Sequence, residues 1–182
     1  RTSGYAIRCG SLFPTSQFAG EEAPLVTQLR EQGAIVMGIT ASTEFAFAEP
    51  AATRNPCNRR HTPGGSSSGS AAGVRAGYFP LALGTQTIGS VIRPAAFCGV
   101  VGCKPSQGLL SGEGSINFSP SLDQSGFFCS NHQDAATVLS LFCPQPARKR
   151  KASALFIVPD DEYLIEAEPA MRRAFDQYCD RL

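Results

Sequence analysis

The sequence predicts an α/β fold. The deciding observation is a helix-to-strand unit near the N-terminus: an amphipathic segment over 23–32 runs through Gly33 straight into the apolar stretch 34–39. Two similar successions follow, a small-residue helix over 70–78 leading to an apolar run at 81–83, and an apolar run at 154–158 leading to a proline-opened helix.

Each element has a local reason. In 23–32, Leu25, Val26 and Leu29 make one apolar face and Gly33 supplies the stop. Residues 34–39 (Ala-Ile-Val-Met-Gly-Ile) read as a buried strand. Residues 46–65 hold Pro50, Pro56 and Pro63 and few apolar side chains, which predicts a long irregular segment of the kind that carries function in compact domains. The stretch 70–78 is rich in Ala and Gly, so a helix there can approach a neighbour closely. Residues 106–126 are Gly/Ser/Pro-rich and read mostly as loop. Over 133–142, Ala135, Val138, Leu139 and Phe142 recur at helical spacing. A last helix opens at Glu168-Pro169 and runs to about residue 182, with proline in its first turn. There is no internal repeat. Residues 1–182 are expected to form a single domain cut from a longer chain, since Arg1-Thr2-Ser3-Gly4 has no methionine and the end closes on a helix.

Composition narrows the function. The chain is 42% hydrophobic and 17% charged with a net charge of +1, values of a soluble globular protein with one core. Near-neutral charge gives no reason to expect nucleic acid or an anionic membrane as partner. The short basic run Arg148-Lys149-Arg150-Lys151 reads as a solvated loop. Seven cysteines, an odd number without Cys-x-x-Cys spacing, read as reduced structural thiols and point to the cytoplasm. Two histidines far apart, His61 and His132, predict no metal site.

Chemistry concentrates in two loops. Gly64-Gly65-Ser66-Ser67-Ser68-Gly69-Ser70 precedes the small-residue helix, and Gly84-Thr85-Gln86-Thr87-Ile88-Gly89-Ser90 follows the 81–83 run. Ser66 and Ser90 lie 24 positions apart with a helix and a strand between them, a layout that returns the chain to its start and sets two hydroxyls side by side. A flexible linker is the bland reading of such tracts, but this one is fused to a helix. Phosphate binding would require Gly-Lys-Ser/Thr, and neither loop holds lysine. Nucleophilic catalysis remains. A serine needs a base for its proton and donors for the oxyanion. The N–H groups of Thr87, Ile88, Gly89 and Ser90 can converge if the loop curls. The base is either a histidine or a lysine acting through a second hydroxyl.

The stretch 61–130 closely resembles the amidase signature family. The resemblance is carried by Thr62-Pro63-Gly64-Gly65-Ser66-Ser67-Ser68-Gly69-Ser70-Ala71-Ala72, by Pro80-Leu81-Ala82-Leu83-Gly84-Thr85-Gln86-Thr87, and by Gly89-Ser90-Val91-Ile92-Arg93-Pro94-Ala95-Ala96-Phe97-Cys98-Gly99. Lys104-Pro105-Ser106 and Ser121-Leu122-Asp123 extend it, and Thr43-Glu44-Phe45 and Arg54-Asn55-Pro56 continue it upstream. The wording around Gln86 and Arg93 is most similar to the malonamidase-like branch.

The resemblance implies a mixed central sheet covered by helices on both faces, of which this chain supplies the core portion. It implies a Ser–cis-Ser–Lys amidase with no cofactor and no metal, acting on a small carboxamide. Ser90 matches the nucleophile and Ser66 the bridging serine, with a cis peptide bond before it. Thr87, Ile88, Gly89 and Ser90 match the oxyanion donors. The family's lysine falls ahead of Arg1, and Lys104 matches a different position. Ile88 stands where Gly or Ala is common, so its side chain must turn away from the oxyanion. Arg93, Gly65 and Thr43 are the candidate substrate contacts. Arg93 either holds a substrate carboxylate or ties the loop to backbone carbonyls or to an acid. Thr43 and Glu44 either border the pocket or cap a helix. Asp123 reads as a structural acceptor. A homodimer is an expectation for the complete protein. The competing expectations are an inactive amidase-like remnant or binding module and a component of a glutamine-dependent tRNA amidotransferase, from which the neutral charge and the Gln86/Arg93 wording point away.

Overall fold

A computed structural model describes residues 1–143, 157–158 and 166–181. The chain divides into two compact units, Arg1–Pro146 and Ala147–Leu182. In the first, helix α1 (Pro24–Glu31) opens on proline at its first turn and buries Leu25, Val26 and Leu29, the face expected from the sequence. Helix α2 (Ser68–Arg75) follows the first serine loop, and strand β1 (Leu81–Gln86) precedes the second. Helix α3 (Ile92–Cys98) closes on Gly99 in the left-handed conformation, with φ 65°. Strands β2 (Val101–Cys103) and β3 (Gln124–Cys129) and helix α4 (His132–Ser140) complete the unit. Asn131 caps α4, its side chain accepting the Asp134 N–H at 2.9 Å. The second unit contains α5 (Pro169–Cys179). The apolar run at 154–158 lies largely outside the described residues.

The described sheet has three strands in the order β1-β3-β2, each pair antiparallel. All six residues of the central strand β3 are buried, so both of its faces are covered. Side-chain alternation sorts them. Phe128 joins Ala82, Val91, Ala95, Cys98, Ala71 and Val74 under α2 and α3. Phe127 and Cys129 join Leu25 and Leu110, with Leu81, Leu83, Ala135 and Leu139 packed around them, under α1 and α4. Helices therefore lie on both faces of the sheet. Gly84 allows the close approach on the first side. A Cβ there would sit 2.7 Å from Ser67 Oγ and 2.8 Å from the Phe128 ring.

Two elements differ from expectation. Residues 34–39 form no strand: among the described residues no neighbour pairs with them, and Ile35 and Met37 are 87% and 70% exposed. Conversely, the end of the stretch expected to be loop turns into β3, because its backbone finds β1 on one side and β2 on the other.

Candidate active site

The Gly/Ser tract is buried rather than solvated: Ser66, Ser67, Ser68 and Ser70 are all inaccessible or nearly so. Burial obliges hydroxyls to find partners, and three of them do. Ser70 Oγ donates to the Leu83 carbonyl at 2.7 Å and lies 2.7 Å from Thr40 Oγ1. Ser68 Oγ donates to the Gly64 carbonyl at 2.7 Å, and Ser67 Oγ to the Thr85 carbonyl at 3.4 Å. These bonds stitch the tract and α2 to β1. Ser66 differs: among the described residues its hydroxyl has no hydrogen-bond partner, and neither has that of Ser90. The two loops are joined directly, Ser67 N–H donating to the Ser90 carbonyl at 3.3 Å. No hydrogen bond links the Ser66 and Ser90 hydroxyls themselves. The peptide bond between Gly65 and Ser66 is cis.

The Gly65–Ser66 segment is held from two sides. Arg93 directs both Nε and Nη2 at the Gly65 carbonyl, at 3.0 and 2.8 Å. Thr43 N–H donates to the Ser66 carbonyl at 3.0 Å. Of the two readings of Arg93, the structure exhibits the tie to backbone. Thr43 precedes the short 3-10 turn Glu44–Ala46 but makes no side-chain cap. Its Oγ1 is buried without a partner among the described residues, which disfavours capping as its role. Glu44 instead accepts from Ser11 Oγ at 2.6 Å.

In the second loop the backbone N–H groups of Thr87, Ile88, Gly89 and Ser90 have no acceptor among the described residues. Ile88 is 87% exposed, so its side chain is turned to solvent. Thr87 Oγ1 hydrogen-bonds Asp123 Oδ1, while Asp123 Oδ2 accepts from the N–H groups of Phe118 and Ser119 at 2.6 and 2.8 Å. With both oxygens engaged, Asp123 is a structural acceptor. Lys104 is exposed and donates to the Pro105 carbonyl at 2.9 Å, and neither histidine hydrogen-bonds a serine of the two loops. Among the described residues no group of His, Cys, Asp and Glu is arranged to hold a metal ion.

A cavity of about 440 Å³ opens beside the first loop, lined by Thr40, Phe45, Ser66, Ser70, Thr85 and Phe118 among others; Ser90 is not part of its wall. Ser66 is thus part of the cavity wall, and the next residue, Ser67, bonds the Ser90 loop. Sequence reasoning missed two further residues. Gln86 carries no role in the family wording alone, although its Oε1 accepts the N–H groups of both Val91 and Ile92 at 2.9 Å. Asn55 fastens the irregular segment to the end of α3, donating to the Phe97 and Thr62 carbonyls at 2.8 and 3.2 Å. Its Asn-Pro context signals a turn, but not the partner 42 residues away.

Comparison with known proteins decides the family, since the amidase family model matches residues 1–173. The chain belongs to the amidase family. A curated relative from Treponema pallidum, one of the subunits of its glutamyl-tRNA(Gln) amidotransferase, is 44% identical over 173 residues, covering 86% of this chain and 34% of the relative. The native peptide amidase of Stenotrophomonas maltophilia superposes with a TM-score of 0.71 at 38% identity, covering 81% of this chain and 34% of that one. The crystal structure of another amidase reaches a TM-score of 0.77 at 31% identity over 96% of this chain and 42% of its own. The fold is therefore the amidase signature fold. The chain spans about a third of the length of the curated relatives it matches.

Proposed function

We propose that this amidase-family chain carries the serine half of a Ser–Ser–Lys amide-cleaving site. The reading rests on one observation: among the described residues of the two loops, Ser66 and Ser90 keep uncommitted hydroxyls, while the other serines of the tract are tied to backbone. Ser90 Oγ attacks the carboxamide carbon and its proton passes through the Ser66 hydroxyl to the base. The N–H groups of residues 87–90 receive the oxyanion. Collapse expels ammonia, which takes the proton back through the same relay. Water then attacks the acyl-enzyme and releases the carboxylate. The base is a lysine supplied from outside these 182 residues, and the cavity wall at Ser66 supports its approach from that side. Thr43, Gly65 and Arg93 border the substrate. Arg93 retains N–H groups beyond the two directed at Gly65, and these suit a substrate carboxylate. The free thiols support a reducing, cytoplasmic setting.

The 44% identity to an amidotransferase component favours a second reading with the same first step. There the released ammonia passes to an acceptor bound by partner proteins instead of escaping to water. One comparison separates the two. The full-length protein alone is given small carboxamides and a fluorophosphonate probe, and then the same amides with the partner proteins and glutamyl-tRNA. Free ammonia without partners supports the hydrolase; turnover that awaits the partners supports the amidotransferase. Ser90→Ala should abolish probe labelling and acyl-enzyme formation in either case, and retained turnover would eliminate both.

A further inference from the structure

Helix α3 ends beside an exposed turn that carries a thiol. The turn is Asn55-Pro56-Cys57-Asn58, closed by the Asn58 N–H donating to the Asn55 carbonyl at 3.2 Å. Asn55 is buried and acts as its clamp. Its Oδ1 accepts the Cys57 N–H at 2.9 Å, and its Nδ2 donates to the Phe97 carbonyl at 2.8 Å. The last carbonyls of a helix have no partner within it, and here the turn supplies two. Asn55 takes that of Phe97, and the Cys57 thiol donates to that of Cys98 at 3.5 Å. The Cys57 sulfur is thereby held against the residue that bears a second thiol. Cys98 Sγ in turn donates to the Pro63 carbonyl at 3.5 Å, on the segment that runs on from the turn.

The two thiols face opposite environments. Cys57 is exposed and Cys98 is fully buried. Burial pushes the Cys98 thiol up to about 11; neighbouring Cys57 adds to this and Arg75 opposes it. Cys98 therefore keeps its proton near neutrality and lies out of reach of solutes, while a dissolved oxidant meets Cys57 first.

We propose that Cys57 and Cys98 form a peroxide-responsive pair, in which Cys57 is oxidised and Cys98 resolves it into a disulfide. The Cys57 thiolate attacks one oxygen of hydrogen peroxide; the O–O bond breaks, leaving Cys57 sulfenic acid, and the departing hydroxide takes up the thiol's proton as water. The Cys98 sulfur then attacks the sulfenic sulfur. The S–O bond breaks, the S–S bond forms, and the hydroxyl leaves as a second water with the Cys98 proton. Two thiols and one peroxide become one disulfide and two waters. Cys98 gives up its bond to Pro63 as it turns to Cys57. The disulfide makes covalent the join that Asn55 already makes between the segment entering the first serine loop and the helix leaving the second. The pair takes nothing from the serine-nucleophile reading, and its test does not read turnover.

The reduced, folded full-length protein is treated with equimolar hydrogen peroxide and mapped by mass spectrometry without reduction. Wild type should show a peptide carrying Cys57 joined to one carrying Cys98, released by dithiothreitol. Cys57→Ser removes an exposed sulfur and should slow loss of thiols by about tenfold or more, since access governs oxidation. Cys98→Ala should form no link and should leave a sulfenic acid at Cys57 that dimedone traps; dimedone should label this variant far more than wild type. Cys57 passing to sulfinic acid in folded wild type without a link to Cys98 overturns the proposal. So does a link from Cys57 to a different cysteine, or a Cys57–Cys98 link that forms only in urea.

Discussion

Arg93 Nε and Nη2 converge on the carbonyl oxygen of Gly65, 3.0 and 2.8 Å away, and so tie the residue three after the candidate nucleophile to the peptide before the candidate bridging serine. This link spans 28 residues of sequence and is charge-assisted. With the Ser67–Ser90 backbone bond it makes the two loops one unit.

Arg93→Lys keeps the charge and loses the fork. A charged hydrogen bond contributes about 1.5–3 kcal/mol, so kcat should fall about tenfold to a hundredfold on neutral and acidic amides alike, while any preference for acidic amides survives. Arg93→Gln should lose that preference as well. Steady-state kinetics on a matched pair of amides, one bearing a carboxylate, checks this; wild-type kcat in the Lys variant would show that the fork positions nothing.

A Cβ on Gly65 would lie 2.8 Å from Thr43 Cγ2 and 3.2 Å from Ser68 Oγ. Gly65→Ala should therefore destabilise by about 1–3 kcal/mol through overpacking. Adding Thr43→Ser removes the offending methyl, and the double variant should recover part of the loss. Denaturant melts of the four proteins measure the coupling, and strict additivity would count against this contact.

Phe128 is fully buried at the centre of β3, between α2 and α3. Phe128→Ala leaves a cavity that a sheet paired on both sides cannot close, for an expected loss of about 3–5 kcal/mol. Phe128→Leu should cost clearly less. Equal midpoints for the two variants in urea would contradict this packing.

Cys98 and Cys129 are fully buried, and burial pushes each thiol from the ordinary 9.0 up to about 11. Nearby Cys57 adds to the effect at Cys98, as Asp134 does at Cys129. A folded-state pKa above the unfolded value means that the folded chain binds the proton more tightly. The resulting stability is complete below pH 9 and is lost as pH climbs toward 11. Urea midpoints measured across that window should fall in the wild type and fall less steeply in Cys98→Ala/Cys129→Ala. Parallel slopes would remove the two thiols from the explanation. Exposed Cys57 should react with maleimide in the native protein while the buried pair does not.

Whatever depends on near neighbours was legible in the amino-acid order alone. The apolar face of α1 with its glycine stop, the proline that opens α5, the spacing of α4 and the two serine-bearing glycine loops are all set within a few residues, as is the family wording around Ser90. Whatever depends on distant partners was settled by folding. Residues 34–39 have a strand's composition, yet no strand lies beside them among the described residues, and a strand exists only when its N–H and C=O groups are paired. Residues 124–129 gained β1 and β2 as neighbours and became the buried centre of the sheet. The same holds for the hydroxyls. The family wording singles out Ser66, but residue type alone does not distinguish it from Ser67, Ser68 and Ser70; folding brings the Thr85, Gly64 and Leu83 carbonyls to those three and leaves the Ser66 hydroxyl unbound. Hydrogen bonds act over about 3 Å, so which serine stays unbound is settled by the atoms that folding delivers to it.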